Sequence, residues 1–460
     1  MILRSTRVAL PSGVQPADIH VLDGRIAAVV APAPEAALTT PPFALRPPPP
    51  APRPPLHDVG DLVVFPGLVD THVHVNDPGR TDWEGFETAT RAAAAGGVTT
   101  IVDMPLNSIP PTVDVAALNA KRAAARGRVF VDVAFWGGAI PGNAAALAAL
   151  ADAGVCGFKC FLVPSGVDEF PAVRERDLRA AMPILRARGL PLLVHAESPA
   201  ALMPMAGDPA VYTTWAASRP PRAEIEAIDT MIALARECAT HIHIVHLAAG
   251  EAIGSIAAAR RSGVRITVET CPHYLTFDEA QIANGATLFK CAPPLRSAAN
   301  REALWTGLAD GVIDMIASDH SPCPRSMKAG GDFARAWGGI ASIELTLRAV
   351  WTGARERDVG LAHIANWLSA QPARLAGLGA RKGSIEVGKD ADLVIWDPDQ
   401  TNVVDERRLH QRHTRTPYAG RPLSGRVIET YVRGRLVYRD GSGPDGIVGD
   451  PAGSLLSHSS

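Results

Sequence analysis

The 460-residue chain has a net charge of −2 at pH 7, with 47% hydrophobic and 20% charged residues, the balance of a globular protein with a large core. Such near-neutrality excludes a nucleic-acid binder or a protein held on an anionic membrane by charge, and no apolar run reaches the ~20 residues of a membrane span. A small, near-neutral molecule is the expected partner.

The N-terminal Met1-Ile2-Leu3-Arg4-Ser5-Thr6-Arg7 lacks the apolar core of a signal peptide. Cys156, Cys160, Cys238, Cys271, Cys291 and Cys323 are scattered, with no Cys-x-x-Cys, and read as reduced thiols of a cytoplasmic protein. Residues 1–30 alternate apolar and polar positions around Asp23-Gly24, a hairpin signal that begins a small β module. Residues 32–55, rich in Ala and Pro, read as a surface insertion favouring polyproline II.

From residue 61 strand-like runs alternate with Ala/Arg/Leu-rich helical segments such as Glu84–Ala95, Val115–Arg126 and Ile225–Glu237. The runs are Leu62–Val75, Val98–Met104, Val129–Trp136, Val155–Leu162, Leu190–His195, His241–Leu247, Val264–Glu269 and Val312–Ser318. Eight strands alternating with helices predict an α/β fold, a (β/α)8 TIM-like barrel over 61–374, with chemistry at the C-terminal strand ends. Strand signals return at 383–396, 427–432 and 435–439. Residues 375–440 are therefore expected to join 1–60 in a small β-sandwich domain, since neither part has enough strands alone. The Gly/Ser/Pro-rich 441–460 reads as a flexible tail.

Polar residues gather at the predicted strand ends. His72 and His74 sit two apart on a strand that Asp77-Pro78-Gly79 must end, so both imidazoles face one way at its mouth. Alone, this pair says little. Strand four adds Lys159, strand five His195, strand six His246 and strand eight Asp319. The chain has only six lysines among 45 Lys and Arg, and Arg is the better partner for a buried ion pair. A lysine in an apolar strand therefore suggests chemistry that Arg cannot do. A desolvated, neutral amine reacts with carbon dioxide to give a carbamate, an anionic ligand able to bridge two cations.

The expected centre holds two divalent ions, zinc by preference, with cobalt, manganese or iron also suited. His72, His74 and Asp319 hold one, His195 and His246 the other, and carboxylated Lys159 bridges them. A shared hydroxide is the nucleophile, and Asp319 serves as general base and acid. Among the other histidines, His243 reads as structural, His241 as a surface residue and His320 as an orienter of Asp319; His273 could contact substrate or support the site.

These motifs resemble the cyclic amidohydrolases of the amidohydrolase superfamily. The segments concerned are 70–86, Val102-Asp-Met-Pro-Leu-Asn-Ser108, Gly157-Phe-Lys-Cys-Phe161, His195-Ala-Glu197 and His243-Ile-Val-His-Leu247. Glu269-Thr-Cys-Pro-His-Tyr-Leu275, Lys290-Cys-Ala-Pro-Pro-Leu-Arg296 and Ser318-Asp-His-Ser-Pro-Cys323 continue them, so that the likeness spans about residues 61–440. Dihydroorotases resemble this pattern but carry Arg where Asn76 stands, which disfavours an anionic substrate here. Asp77 and Asp82 depart from the expected Glu. The resemblance implies opening of the hydantoin ring of allantoin in purine-nitrogen recovery, no organic cofactor and a homotetramer. Asn76 is the expected substrate contact, and Ala292 and Gly339 mark loops whose backbone can approach a ring. The alternatives are a hydantoinase or dihydropyrimidinase and, from another class, a non-catalytic scaffold.

Overall fold

The structure is a computed structural model that describes residues 1–32 and 55–458. The expected Pro-rich insertion thus lies, apart from its two end residues, outside the described residues.

The N-terminal strands β1 (Ile2–Leu10), β2 (Gly13–Leu22) and β3 (Arg25–Val30) form an antiparallel meander. Asp23 and Gly24 turn it with φ of 48° and 77°, the backbone of a two-residue hairpin whose twist matches its strands. β4 (Leu56–Asp58) and β5 (Val63–Pro66) then run parallel to β1.

Gly67 divides the next apolar run. A Cβ there would lie 2.2 Å from Thr99 Oγ1, so only glycine lets the chain leave β5 and enter β6 (Leu68–Val73) in another sheet. The expected single strand Leu62–Val75 is thus two, and Val63–Pro66 belongs to the small module rather than to 61–374. β7 (Val98–Asp103) and β8 (Asp132–Phe135) pair parallel to β6 in turn. β9 (Gly137–Gly138), β10 (Phe158–Phe161), β11 (Leu192–His195), β12 (Ile242–Ile244), β13 (Ile266–Thr270) and β14 (Met315–Ile316) continue in parallel order. The two series are tied by Cys156 N–H to Phe135 O at 2.9 Å. A parallel bridge between Val73 and His320 joins the last segment to the first. All eight expected runs contain a strand, and β6, β7, β8, β10 and β11 are buried along their whole length, as strands covered on both faces must be.

β15 (Leu393–Val403), β16 (Pro422–Val432) and β17 (Arg435–Arg439) complete the module. β15 pairs with β5, giving one sheet ordered β17-β16-β15-β5-β1-β2-β3 with β4 beside β1. Lys382 fastens this sheet to β8: its ammonium lies 2.6 Å from Asp132, 2.7 Å from Asp392 and 3.0 Å from Asp390. The expected flexible tail is corrected. Val133 donates to Ser454 O at 2.9 Å, Leu456 donates back to Val133 O at 2.8 Å, and the Leu456 side chain is buried. A hydrogen-bonded backbone with an apolar anchor holds this segment where Gly and Ser content alone suggested freedom.

Candidate metal centre

Strand ends bring the six expected residues to one cavity of about 320 Å³, whose lining includes His72, His74, Lys159, His195, His246 and Asp319. Asp319 Oδ1 lies 3.2 Å from His72 Nε2 and 3.5 Å from His74 Nε2. Across the cavity His195 Nδ1 faces His246 Nε2 at 2.9 Å. The two groups adjoin, with the His72 and His246 rings 5.4 Å apart.

Carboxylates behind His72 and His195 fix which nitrogen each presents. Glu269 accepts from His72 Nδ1, turning Nε2 and its lone pair to the cavity. Glu197 accepts from His195 Nε2 at 2.6 Å, turning Nδ1 inward, and is itself held by Arg219 Nε at 2.9 Å. Asn107 Nδ2 lies 3.4 Å from His74 Nδ1 while Asn107 Oδ1 has no partner. Turning the amide over would bring Asn107 Oδ1 to His74 Nδ1 as an acceptor. Asp70 Oδ1 accepts from the His72 and Ser318 amides at 3.1 and 3.2 Å, locking the first strand end to the last. Positive φ is concentrated here: Asn76 (64°), Asn107 (68°), His246 (40°) and Asp319 (46°). Such strain persists where the surroundings over-determine the backbone.

Burial sets the charges. It pushes the His74 imidazole down to about 4, despite Asp319, and lowers His195 and His246 too, so these rings are neutral, as ligands must be. Burial works against the Asp319 carboxylate, but protons on the facing His72 and His74 nitrogens would outweigh it and hold the group well below the usual range. The Glu269 carboxylate is likewise opposed by burial and brought down to about 2 by His72 and His243.

Lys159 is singular. Burial pushes its amine down to about 8 against the pull of Glu269 and Asp319. Its Nζ has no hydrogen-bond partner and sits 4.8 Å over the Phe161 ring. The other five lysines all have acceptors: Lys121 at Asp103, Lys290 at Ala336 O, Lys328 at Gly339 O, Lys382 among aspartates and Lys389 at Glu386. A buried, unpaired amine is costly as it stands. It fits a group that carbon dioxide converts to an anionic oxygen ligand between the two histidine groups. The donor set of four imidazoles, one carboxylate and one such amine therefore fits divalent cations.

The remaining expectations divide. His243 is structural, bonded to Thr267 Oγ1 at 2.9 Å and Glu269 at 3.1 Å. His241 is only partly exposed and bonds Thr267 Oγ1 at 2.9 Å. The His320 ring does not orient Asp319; its Nδ1 accepts from the Ser342 and Ile343 amides at 3.1 and 3.3 Å. Asn76 is buried behind the wall and does not line the cavity, whereas Asn107 does. Ala292 and Gly339 line it. The Gly339 N–H already donates to Lys290 O and its carbonyl accepts from Lys328 Nζ. What Gly339 offers the cavity is the absence of a side chain, since a Cβ would meet Ser321 O at 2.6 Å. Glu269, Glu197 and Asn107 were not singled out in the sequence; carboxylates at or just past a strand end, spaced to reach a histidine, were the available signal.

The amidohydrolase family model matches residues 63–437. The chain belongs to the amidohydrolase family. Among curated amidohydrolase relatives, an allantoinase of Streptomyces avermitilis is 49% identical, covering 99% of this chain and 98% of its own. An allantoinase of Arabidopsis thaliana is 45% identical over 84% of this chain and 79% of its own. Among solved structures, an L-hydantoinase (dihydropyrimidinase) from Arthrobacter aurescens superposes with a TM-score of 0.89 at 30% identity, covering 99% of this chain and all of its own. A dihydropyrimidinase from Brevibacillus agri gives 0.85 at 26%, covering 99% and 98%.

Proposed function

We propose that this amidohydrolase opens the hydantoin ring of allantoin by hydrolysis, giving allantoate. Relatives called allantoinase at 41–49% identity across most of the chain support the substrate. The observation that carries the chemistry is the unpaired Lys159 amine in the cavity that the His72–His74–Asp319 group and the His195–His246 pair also line. His72, His74 and Asp319 would hold one divalent cation and His195 and His246 another, with carboxylated Lys159 common to both. Two such ions, zinc in our reading, supply Lewis acidity and lower the pKa of bound water.

The chain's own groups do the rest. Asp319 accepts a proton as the water oxygen bonds to the ring carbonyl carbon, and returns it to the ring nitrogen as the C–N bond breaks. The water hydroxyl stays on carbon and its proton ends on nitrogen. Glu269 and Glu197 keep the His72 and His195 imidazoles in the ligating tautomer. A cavity of about 320 Å³ is at the small end of the range for ligand sites, suited to one five-membered ring with a ureido arm.

The parallel strand series is read as a closed (β/α)8 barrel, and the module sheet as a β-sandwich. A homotetramer is the assembly the family resemblance suggests. Among the described residues no helix is long and apolar enough to cross a membrane, and the six cysteines are free, which supports a cytoplasmic site.

Likeness to the hydantoinase and dihydropyrimidinase structures favours a second reading, the same chemistry on a simpler ring. Initial rates on allantoin, hydantoin and dihydrouracil decide between them. Allantoin is expected to have the highest kcat/KM; a preference for either other ring overturns the allantoin reading.

A further inference from the structure

Behind Asp319 lies a second group of potential ligands that the hydrolytic centre does not use. Cys271 follows β13, and His273 follows two residues later. A sulfur of Cys271, a ring nitrogen of His273 and a carboxylate oxygen of Asp319 lie within 4.8 Å of one another. All three side chains are buried, Cys271 and His273 completely. Neither ring nitrogen of His273 has a hydrogen-bond partner, although its ring packs against Tyr274 at 4.3 Å. A buried imidazole with both nitrogens unpaired leaves the full cost of its desolvation uncompensated, beside a thiol and a carboxylate arranged around a common point.

We propose that Cys271, His273 and Asp319 form an inhibitory cation site that takes thiophilic divalent ions, cadmium or excess zinc, behind the catalytic cavity. Its sulfur ligand sets the selectivity. Thiolate with imidazole favours zinc and cadmium, whereas manganese and magnesium prefer oxygen. Binding replaces the S–H bond of Cys271 with a sulfur–metal bond and releases one proton to solvent; no electron moves. A thiolate, a carboxylate and a neutral imidazole balance a divalent charge without a further counterion. The site inhibits because Asp319 belongs to both groups. A cation drawing its carboxylate toward Cys271 takes it from His72 and His74, and removes the group that handles the proton. That consequence rests on the role given to Asp319 above; the binding does not.

Titrating the metal-loaded enzyme with cadmium chloride tests both parts. Turnover should fall as an ultraviolet thiolate-to-cadmium absorption grows, with one additional cadmium retained per chain after gel filtration, while excess manganese does neither. Cys271→Ser should abolish the absorption and raise the inhibitory cadmium concentration about tenfold or more relative to its own untreated rate. Cys238→Ser and Cys323→Ser, which change the half-buried thiol and the one lining the neighbouring cleft, should leave both as in wild type. His273→Gln keeps the sulfur and should weaken cadmium binding about tenfold, a test that stands if Cys271→Ser does not fold. Wild type without the absorption, an absorption that survives in Cys271→Ser or disappears in Cys323→Ser, or unchanged cadmium binding in His273→Gln overturns the site. Cadmium binding at Cys271 with full turnover overturns its inhibitory role. Untreated enzyme inactive on allantoin fails the substrate reading instead, and the absorption still reports on the site.

Discussion

Two lysines buried to the same degree behave in opposite ways. Lys382, at the junction of β8 with the module sheet, is surrounded by Asp132, Asp390 and Asp392 within 3.0 Å. Burial disfavours its charge, but the three carboxylates outweigh burial and raise its pKa above the ordinary lysine value. Lys159, in the cavity, has no acceptor, and burial brings it down to about 8. One is a cation serving as structure; the other is an amine that burial makes easier to deprotonate. The difference lies in the partners supplied by neighbouring strands, and the two sites should fail differently when altered.

Lys159→Ala should lose bound metal and allantoin turnover together, by at least about 10³-fold in rate, while its melting temperature stays near that of metal-free wild type. Short carboxylic acids added to this variant should restore part of both, since they supply the missing oxygen ligand. Lys382→Met should do the reverse. Asp132 keeps Arg433 and Asp390 keeps Arg381, but buried Asp392 loses its side-chain cation, at an expected cost of about 3–5 kcal/mol in urea unfolding, with metal content per folded chain unchanged. Equal loss of metal in both variants would erase the distinction.

A smaller effect is expected one layer out. Glu269→Gln weakens the hold on the His72 tautomer and on His243, and should lower metal affinity about 10–100-fold in a competitive chelator titration. The smallest is a pH effect far from the cavity. Burial opposes the His410 cation, but the Glu344 carboxylate and the Asp445 carbonyl outweigh it and raise its pKa above 6.5. A raised histidine contributes stability fully below about pH 6.5 and loses it as pH rises through the folded value. In His410→Gln, unfolding free energy should lose this component, below about 1 kcal/mol, across that window.

Much of this architecture was legible because its causes are local. Strand runs buried on both faces announce themselves as uninterrupted apolar residues, and His-x-His before Asp-Pro-Gly fixes a direction at a strand mouth. The lysine argument was incomplete. Scarcity of lysine singles out Lys159, yet Lys121 and Lys382 are equally buried and serve in ion pairs. Absence of a partner sets Lys159 apart, and absence is a property of the assembled strands, invisible in composition. The same holds for Asn76 and Asn107. Both have positive φ near the first two strand ends, and only the fold shows which side chain reaches the cavity. Gly67 and the 441–458 segment depend on contacts with Thr99 and Val133, which lie far away in the chain.

Carbon-13 spectroscopy of metal-loaded enzyme equilibrated with labelled bicarbonate tests the central claim most directly. A carbamate carbonyl resonance in wild type, absent from Lys159→Ala, is the predicted result. Full turnover of allantoin by wild type with Lys159 unmodified and no such resonance would contradict it.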